Sequence, residues 1–188
     1  PMSRDKVHFV LDLLEGSKIS YGEARFVRLR QQIVATKNGK PSFLDERDST
    51  GIGVRVLVKG SWGFAASPFL TRASLEDTVR RALETARASS SANGPRRLKL
   101  AAAPAQQAFW GTRVEIDPWS VDPREKTAHL VECEAILRKD RRIFLSEARM
   151  EFTRKEQIFG STEGAFIESS RAISGAGFSC KARSRGEI

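Results

Sequence analysis

The 188 residues suffice for one fair-sized domain or two small ones, and a hydrophobic share of 40% is enough to bury a core. The net charge of +9 comes from arginines scattered through otherwise ordinary segments rather than massed on one element, which disfavours nucleic acid as a partner. No run approaches the roughly 20 apolar residues of a membrane span, no leader-like segment opens the chain, and Cys133 and Cys180 stand far apart with no second pair, so a reducing, cytoplasmic setting fits best.

The spacing of Val7, Val10, Leu11 and Leu14 predicts a one-sided helix from Ser3 to about Glu15, ended by Gly16. From Glu23 to Val34 the period drops to two, with Val27, Leu29 and Ile33 expected on one face against Phe26, Arg28, Arg30 and Gln32. Asn38-Gly39 is a strong hairpin signal, and a second strand is expected through Phe43 and Leu44. The most β-branched run follows, Gly51 to Ala65: Val54, Val56 and Val58 alternate with Arg55, Leu57 and Lys59, Lys59-Gly60 turns the chain, and Ser61-Trp62-Gly63-Phe64 returns. Gly51-Ile-Gly53 lacks the third glycine and following helix of a dinucleotide fingerprint and reads as a tight backbone approach.

Beyond Pro68, Ser74 and Asp77 resemble a capping box opening a helix with Leu75, Val79, Ala82, Leu83 and Ala86 at helical spacing. Ser89 to Pro95 is loop chemistry, with short strands expected at 97–100 and 107–116. Asp122-Pro123 has the N-cap and N1 arrangement of a further helix that turns Leu130, Cys133, Ile136 and Leu137 inward until Asp140. A long strand from Ile143 to Lys155 completes the pattern, with Ser161-Thr-Glu-Gly164 reading as a turn rather than a nucleophile. Arg80, Arg81, Arg141 and Arg142, like Arg28 and Arg30, read as solvated faces.

The chain repeats itself. Glu23-Ala24-Arg25-Phe26 matches Glu147-Ala148-Arg149-Met150, Gln32-Ile33 matches Gln157-Ile158, Asn38-Gly39 matches Glu163-Gly164, and Gly51-Ile52-Gly53-Val54 is answered by Gly175-Ala176-Gly177-Phe178. The expected architecture is therefore α+β: an antiparallel sheet of long hairpins with amphipathic helices against it, built from two αβββ-like units at about 3–66 and 122–182, with a helix and linker at 67–121. The second Gly-x-Gly strand lacks the hairpin partner of the first, so a longer parent polypeptide is expected.

With the repeat, the Gly-x-Gly-Val-Arg-Val-Leu-Val-x-Gly-x-Trp-Gly-Phe-Ala run and the Ser161-Thr-Glu-Gly164 turn in hand, the chain resembles the N-terminal region of the TldD/PmbA family, also called modulators of DNA gyrase. The resemblance covers Tyr21 to about Ala182 and implies a cytoplasmic, dimeric zinc metallopeptidase, a hydrolase of peptides, whose partner is a second copy or a paralogue. Its metal site, a His-Glu-x-x-x-His helix and a later cysteine, would lie in a catalytic C-terminal domain absent from this sequence. The only histidines here, His8 and His129, are followed by Phe9 and Leu130, and His129 with Glu132 and Cys133 is too compact for a zinc site. No catalytic or metal-binding residue is expected in this chain, and no cofactor of its own; zinc is implied for the full-length protein. The expected role is dimerisation and presentation of extended peptide, with Trp62, Gly63, Phe64, Gly175, Gly177 and Phe178 as candidate peptide-binding or interface residues. The alternative is a basic module that binds nucleic acid or a gyrase-like partner.

Overall fold

The computed structural model describes residues 2–93, 98, 100, 101 and 103–183. In chain order the elements are α1 (Met2–Glu15), β1 (Tyr21–Lys37), β2 (Lys40–Val58), β3 (Ser61–Ser67), α2 (Arg72–Asn93), β4 (Gln107–Gly111), a short 3-10 turn (Pro118–Ser120), α3 (Pro123–Leu137), β5 (Ile143–Ser161) and β6 (Phe166–Ala182). The strands form one six-stranded sheet in the order β3-β2-β1-β5-β6-β4, so the fold is α+β as expected. β2 and β3 pair antiparallel. Hydrogen bonds from Asn38 N–H to Ser146 O and from Thr162 N–H to Gly22 O, both 2.9 Å, bind the two ends of β1 antiparallel to β5. β4 runs parallel to β6, which makes the sheet mixed.

Two hairpin turns follow the expected chemistry. Asn38 and Gly39 (φ 51° and 73°) and Lys59 and Gly60 (φ 47° and 80°) all lie in the left-handed region, the requirement of a two-residue turn whose twist matches its strands. Asn38 is steadied there by its side-chain oxygen, which accepts from the Ser146 N–H at 2.9 Å.

The chain divides into two compact units. The first comprises Pro1–Arg28, Ser49–Gly111 and Lys155–Ser170. Its core joins the expected α1 stripe of Val7, Val10, Leu11 and Leu14 to Ile52, Val54, Val56 and Val58 of β2 and to Leu75, Val79, Ala82 and Ala86 of α2. Each of the larger side chains contributes roughly 1.5 to 3 kcal/mol by leaving water. The second unit comprises Leu29–Asp48, Thr112–Arg154 and Arg171–Ile188. Its apolar core is small, Val34, Leu130 and Ala148 with Met150 against them, and polar groups fill the rest of the interior.

Several expectations need correction. On β1 the alternation is present but the buried face is the even one, Ala24, Phe26, Gln32, Val34 and Thr36, rather than Val27, Leu29 and Ile33. The strands expected at Phe43-Leu44 and from Gly51 are one continuous β2, because the charged stretch between them holds no breaker and Glu46 pairs with Arg30 at 2.8 Å. The cap of α2 is Thr71, whose hydroxyl accepts from the Ser74 N–H at 3.3 Å, and not Ser74. That helix runs on through Ser89 to Asn93, with Ser91 bonding back to the Arg87 carbonyl at 3.0 Å. β4 stops at Gly111 and β5 continues to Ser161. The strand expected at 97–100 falls largely outside the described residues. The helix opened by Asp122 is present, capped by its carboxylate on the Arg124 N–H at 2.7 Å, but Cys133 and Ile136 face solvent. Its inward stripe is Lys126, Leu130 and Glu134: the helical period is intact and two of its three steps are charged.

Candidate peptide-binding surface

In the first unit, Trp62, Gly63 and Phe64 lie on β3 opposite Leu57, Val56 and Arg55. A side chain on Gly63 would place its Cβ 2.1 Å from the Ala82 carbonyl oxygen and 2.5 Å from the Ala86 nitrogen, so α2 crosses the strand at this glycine. Its neighbours face the other way. Trp62 meets the ring of Tyr21 edge-on at 5.9 Å and carries the Arg55 guanidinium 4.6 Å above its own ring. Glu23, almost fully buried, receives the Tyr21 hydroxyl at 2.7 Å and Arg55 at 3.0 Å. Burial, then the bond to Glu23, pushes the Tyr21 phenol well above its ordinary range. Phe64 is the outward residue, 61% exposed.

In the second unit, Gly175, Gly177 and Phe178 line one open groove of about 660 Å³ together with Glu147, Arg149 and Glu151. An added Cβ at either glycine would meet nothing within 4 Å, so these two glycines clear the floor of the groove. Phe178 is 65% exposed. β4 pairs with β6 only at Phe166–Ser170, and among the described residues no strand covers the outer edge of β6 from Arg171 to Ala182.

The same unit holds a buried polar system that the sequence reading missed. Glu134, wholly buried, accepts from the hydroxyls of Thr36 and Ser146 and from the Gly39 N–H at 2.8 Å. Burial alone would raise its pKa, but these donors outweigh burial and hold it below the ordinary value. Lys126, also buried, donates to the Gln32 side chain and the Pro118 carbonyl and lies 4.4 Å from the centre of the Phe152 ring. Burial pulls its pKa down. Trp119 is held between the guanidinium groups of Arg30 and Arg154, at 4.9 and 5.1 Å. Arg154 in turn pairs with Asp117 at 3.1 Å. The signal available was the i, i+4, i+8 spacing of Lys126, Leu130 and Glu134, which apolar periodicity discards.

Among the described residues, no three His, Cys, Asp or Glu side chains come together in a way that would hold a metal ion. His8 stacks on Phe166 at 4.5 Å, and His129 stands exposed beside Glu132 at 3.7 Å. These residues do not fit a zinc site. No helix of the described residues is long and apolar enough to cross a membrane.

Two family models match the chain: PmbA/TldA metallopeptidase domain 1 over residues 22–86 and PmbA/TldA metallopeptidase central domain over residues 116–188. The chain belongs to the PmbA/TldD family. Its fold is that of solved family structures: a putative modulator of DNA gyrase from Bacteroides thetaiotaomicron (TM-score 0.74, 16% identity, covering 98% of this chain and 42% of that one) and another from Thermotoga maritima (0.71, 13%, 95% and 43%). TldE from Thermococcus kodakarensis is similarly close (0.70, 12%, 98% and 40%). The chain thus spans about two fifths of the length of the PmbA/TldD structures it matches. Comparison with curated proteins found no match.

Proposed function

We propose that the chain is the non-catalytic N-terminal part of a TldD-like zinc metallopeptidase acting on peptides, and that it receives extended polypeptide for a metal-bearing part lying outside these residues. The observation that carries this reading is the uncovered edge of β6 from Arg171 to Ala182, bordered by the groove over Gly175 and Gly177. An extended segment adding there as a further strand bonds through its backbone, so it is held with little regard to sequence. Exposed Phe64, on the edge strand β3, supports a role in subunit contact with a second copy or a paralogue. The free thiols of Cys133 and Cys180 are in keeping with a reducing, cytoplasmic setting.

Titration of an unstructured synthetic peptide into the isotope-labelled chain should shift the backbone amides of residues 171–182. Shifts confined to other residues, or none at millimolar peptide, would refute strand addition at this edge. A nucleic-acid role finds less support, because Arg28, Arg30, Arg55, Arg80, Arg142 and Arg154 each pair with a carboxylate. Retention of duplex DNA that weakens steeply between 50 and 200 mM salt would restore it.

A further inference from the structure

β4 differs from the other five strands in what holds it. Its residues, Gln107, Ala108, Phe109, Trp110 and Gly111, carry no charge and are all exposed, Phe109 by 74% and Trp110 by 55%. No side chain of this strand enters the core, whereas its neighbour β6 is anchored there through Phe166. What attaches β4 is backbone pairing, parallel, over Phe166–Ser170, with the Phe166 N–H on the Gln106 carbonyl at 2.7 Å just before it and the Ala172 N–H on the Thr112 hydroxyl at 3.2 Å just after it. Five parallel residues without side-chain burial sit at the low end of local stability, since parallel ladders are slightly weaker per residue and pairing alone holds a strand only marginally. The strand also lies in the stretch between the two family matches, which end at residue 86 and resume at 116. A backbone edge left bare is a template for another chain, and β4 covers this one with the least burial of any strand here.

We infer that β4 is a displaceable resident strand: it occupies the Phe166–Ser170 edge of β6 as an external segment would, and an uncharged, aromatic-bearing extended polypeptide running parallel to β6 exchanges with it. β4 itself shows the chemistry that the edge accepts. The edge offers backbone donors and acceptors and no charged contact to the strand; the adjacent rings of Phe109 and Trp110 point to opposite faces, as alternate positions of a strand must. An occupant of the same kind gains the same ladder and adds ring burial only if it finds a wall that β4 lacks. Of the five β6 positions only Glu168 carries a charge, and Arg4 pairs with it at 2.7 Å, so a strongly charged segment meets no free counter-charge there.

The test uses the whole chain with Cys133→Ser and Cys180→Ser as background, so that introduced thiols pair only with each other. Ala108 and Ile167 are register partners, and Ala108→Cys with Ile167→Cys locks β4 by a disulfide. Trp110→Pro weakens it: the Phe166 N–H bond to the Gln106 carbonyl sets the phase of the parallel ladder so that Ala108 and Trp110 donate towards β6, and proline at 110 removes one of those donors at an exposed position. The probe is the synthetic peptide Ala-Gln-Gln-Ala-Phe-Trp-Gly-Thr, the sequence of residues 105–112, followed through the amides of Phe166–Ser170. The unlocked chain should bind it weakly, Trp110→Pro at least tenfold more tightly, and the locked chain not at all at these amides. In the unsubstituted chain, hydrogen exchange at the bonded amides of β4 should run at least a hundredfold faster than at those of Val54 and Val56. Equal affinity in locked and unlocked chains, or β4 amides as protected as those of β2, would overturn the inference, and the exchange measurement decides even if Trp110→Pro does not fold. Binding at Arg171–Ala182 is read from different amides, so the edge proposed for substrate and the exchange of β4 can each fail without the other.

Discussion

Replacing Glu134 separates the contribution of a buried carboxylate from that of the groups it gathers. Glu134→Ala leaves three donors behind in the interior of the second unit: the Thr36 and Ser146 hydroxyls and the Gly39 N–H. Hydrogen bonds to a charged group contribute about 1.5 to 3 kcal/mol each, and the charge's own burial offsets part of their sum, so a net loss of about 3 to 5 kcal/mol is expected. Glu134→Gln keeps one acceptor and a similar volume and should lose about half as much. The discriminating variant is the triple Glu134→Leu, Thr36→Val, Ser146→Ala, which removes both sides of two bonds and leaves only the Gly39 N–H unpaired; it should recover more than half of the alanine loss. Urea titrations followed by fluorescence in a Trp62→Phe, Trp110→Phe background report on this unit directly, since Trp119 is then the one tryptophan left and lies within it between Arg30 and Arg154. A loss below about 1 kcal/mol for Glu134→Ala, or a triple variant no more stable than the single one, would refute the account.

The same carboxylate sets a pH response. Because its folded pKa is depressed below 4.5, its contribution is complete above that value and disappears as pH falls through the folded one; Glu134→Gln should flatten that acid limb in pH-dependent denaturation. Lys126 also has a lowered folded pKa, below 10.5, here because burial disfavours its charge, so the folded state binds fewer protons than the unfolded one just beneath that pH. Stability should therefore rise with pH there, and Lys126→Met should abolish the rise. Gly63→Ala drives a methyl into the backbone of α2 and should cost about 3 kcal/mol in chemical denaturation, while Gly177→Ala, with open space around it, should stay within about 0.5 kcal/mol. Near-equal effects of the two glycine substitutions would contradict the contrast drawn between them.

The elements that sequence reading placed well are those whose signal is local. Asn38-Gly39 and Lys59-Gly60 need left-handed backbone, the α1 stripe repeats at helical spacing, and Asp122-Pro123 starts a helix wherever it stands. The errors share a cause as well. β1 has apolar residues on both faces, and the choice between them was made by the helices that cover Ala24 and Val34, contacts remote in the chain. Serines at 89 to 91 looked like a loop because their hydroxyls compete with a helix, yet Ser91 spends its hydroxyl inside one. On α3, ranking residues by apolarity turned Cys133 and Ile136 inward, although each buried charge there is satisfied by partners roughly a hundred residues away in sequence, Gln32 and Thr36. Of the candidate surface, the cross-strand place of Gly63 against a helix and the emptiness around Gly175 and Gly177 depend on what lies opposite each glycine, which its own neighbours in sequence do not encode.

The seating of α3 differs in kind from that of α1 and α2. Apolar stripes adhere wherever they fit, and a helix held by them can shift by a fraction of a turn while keeping most of its contact. Hydrogen bonds demand direction, and Lys126 and Glu134, two turns apart on α3, each fasten to a different strand residue of the second unit. The helix is keyed rather than glued. A key admits one position, so drift through related sequences should be gradual along α1 and α2 and abrupt along α3, where a change at either buried charge survives only with a matching change at Gln32 or at Thr36 and Ser146.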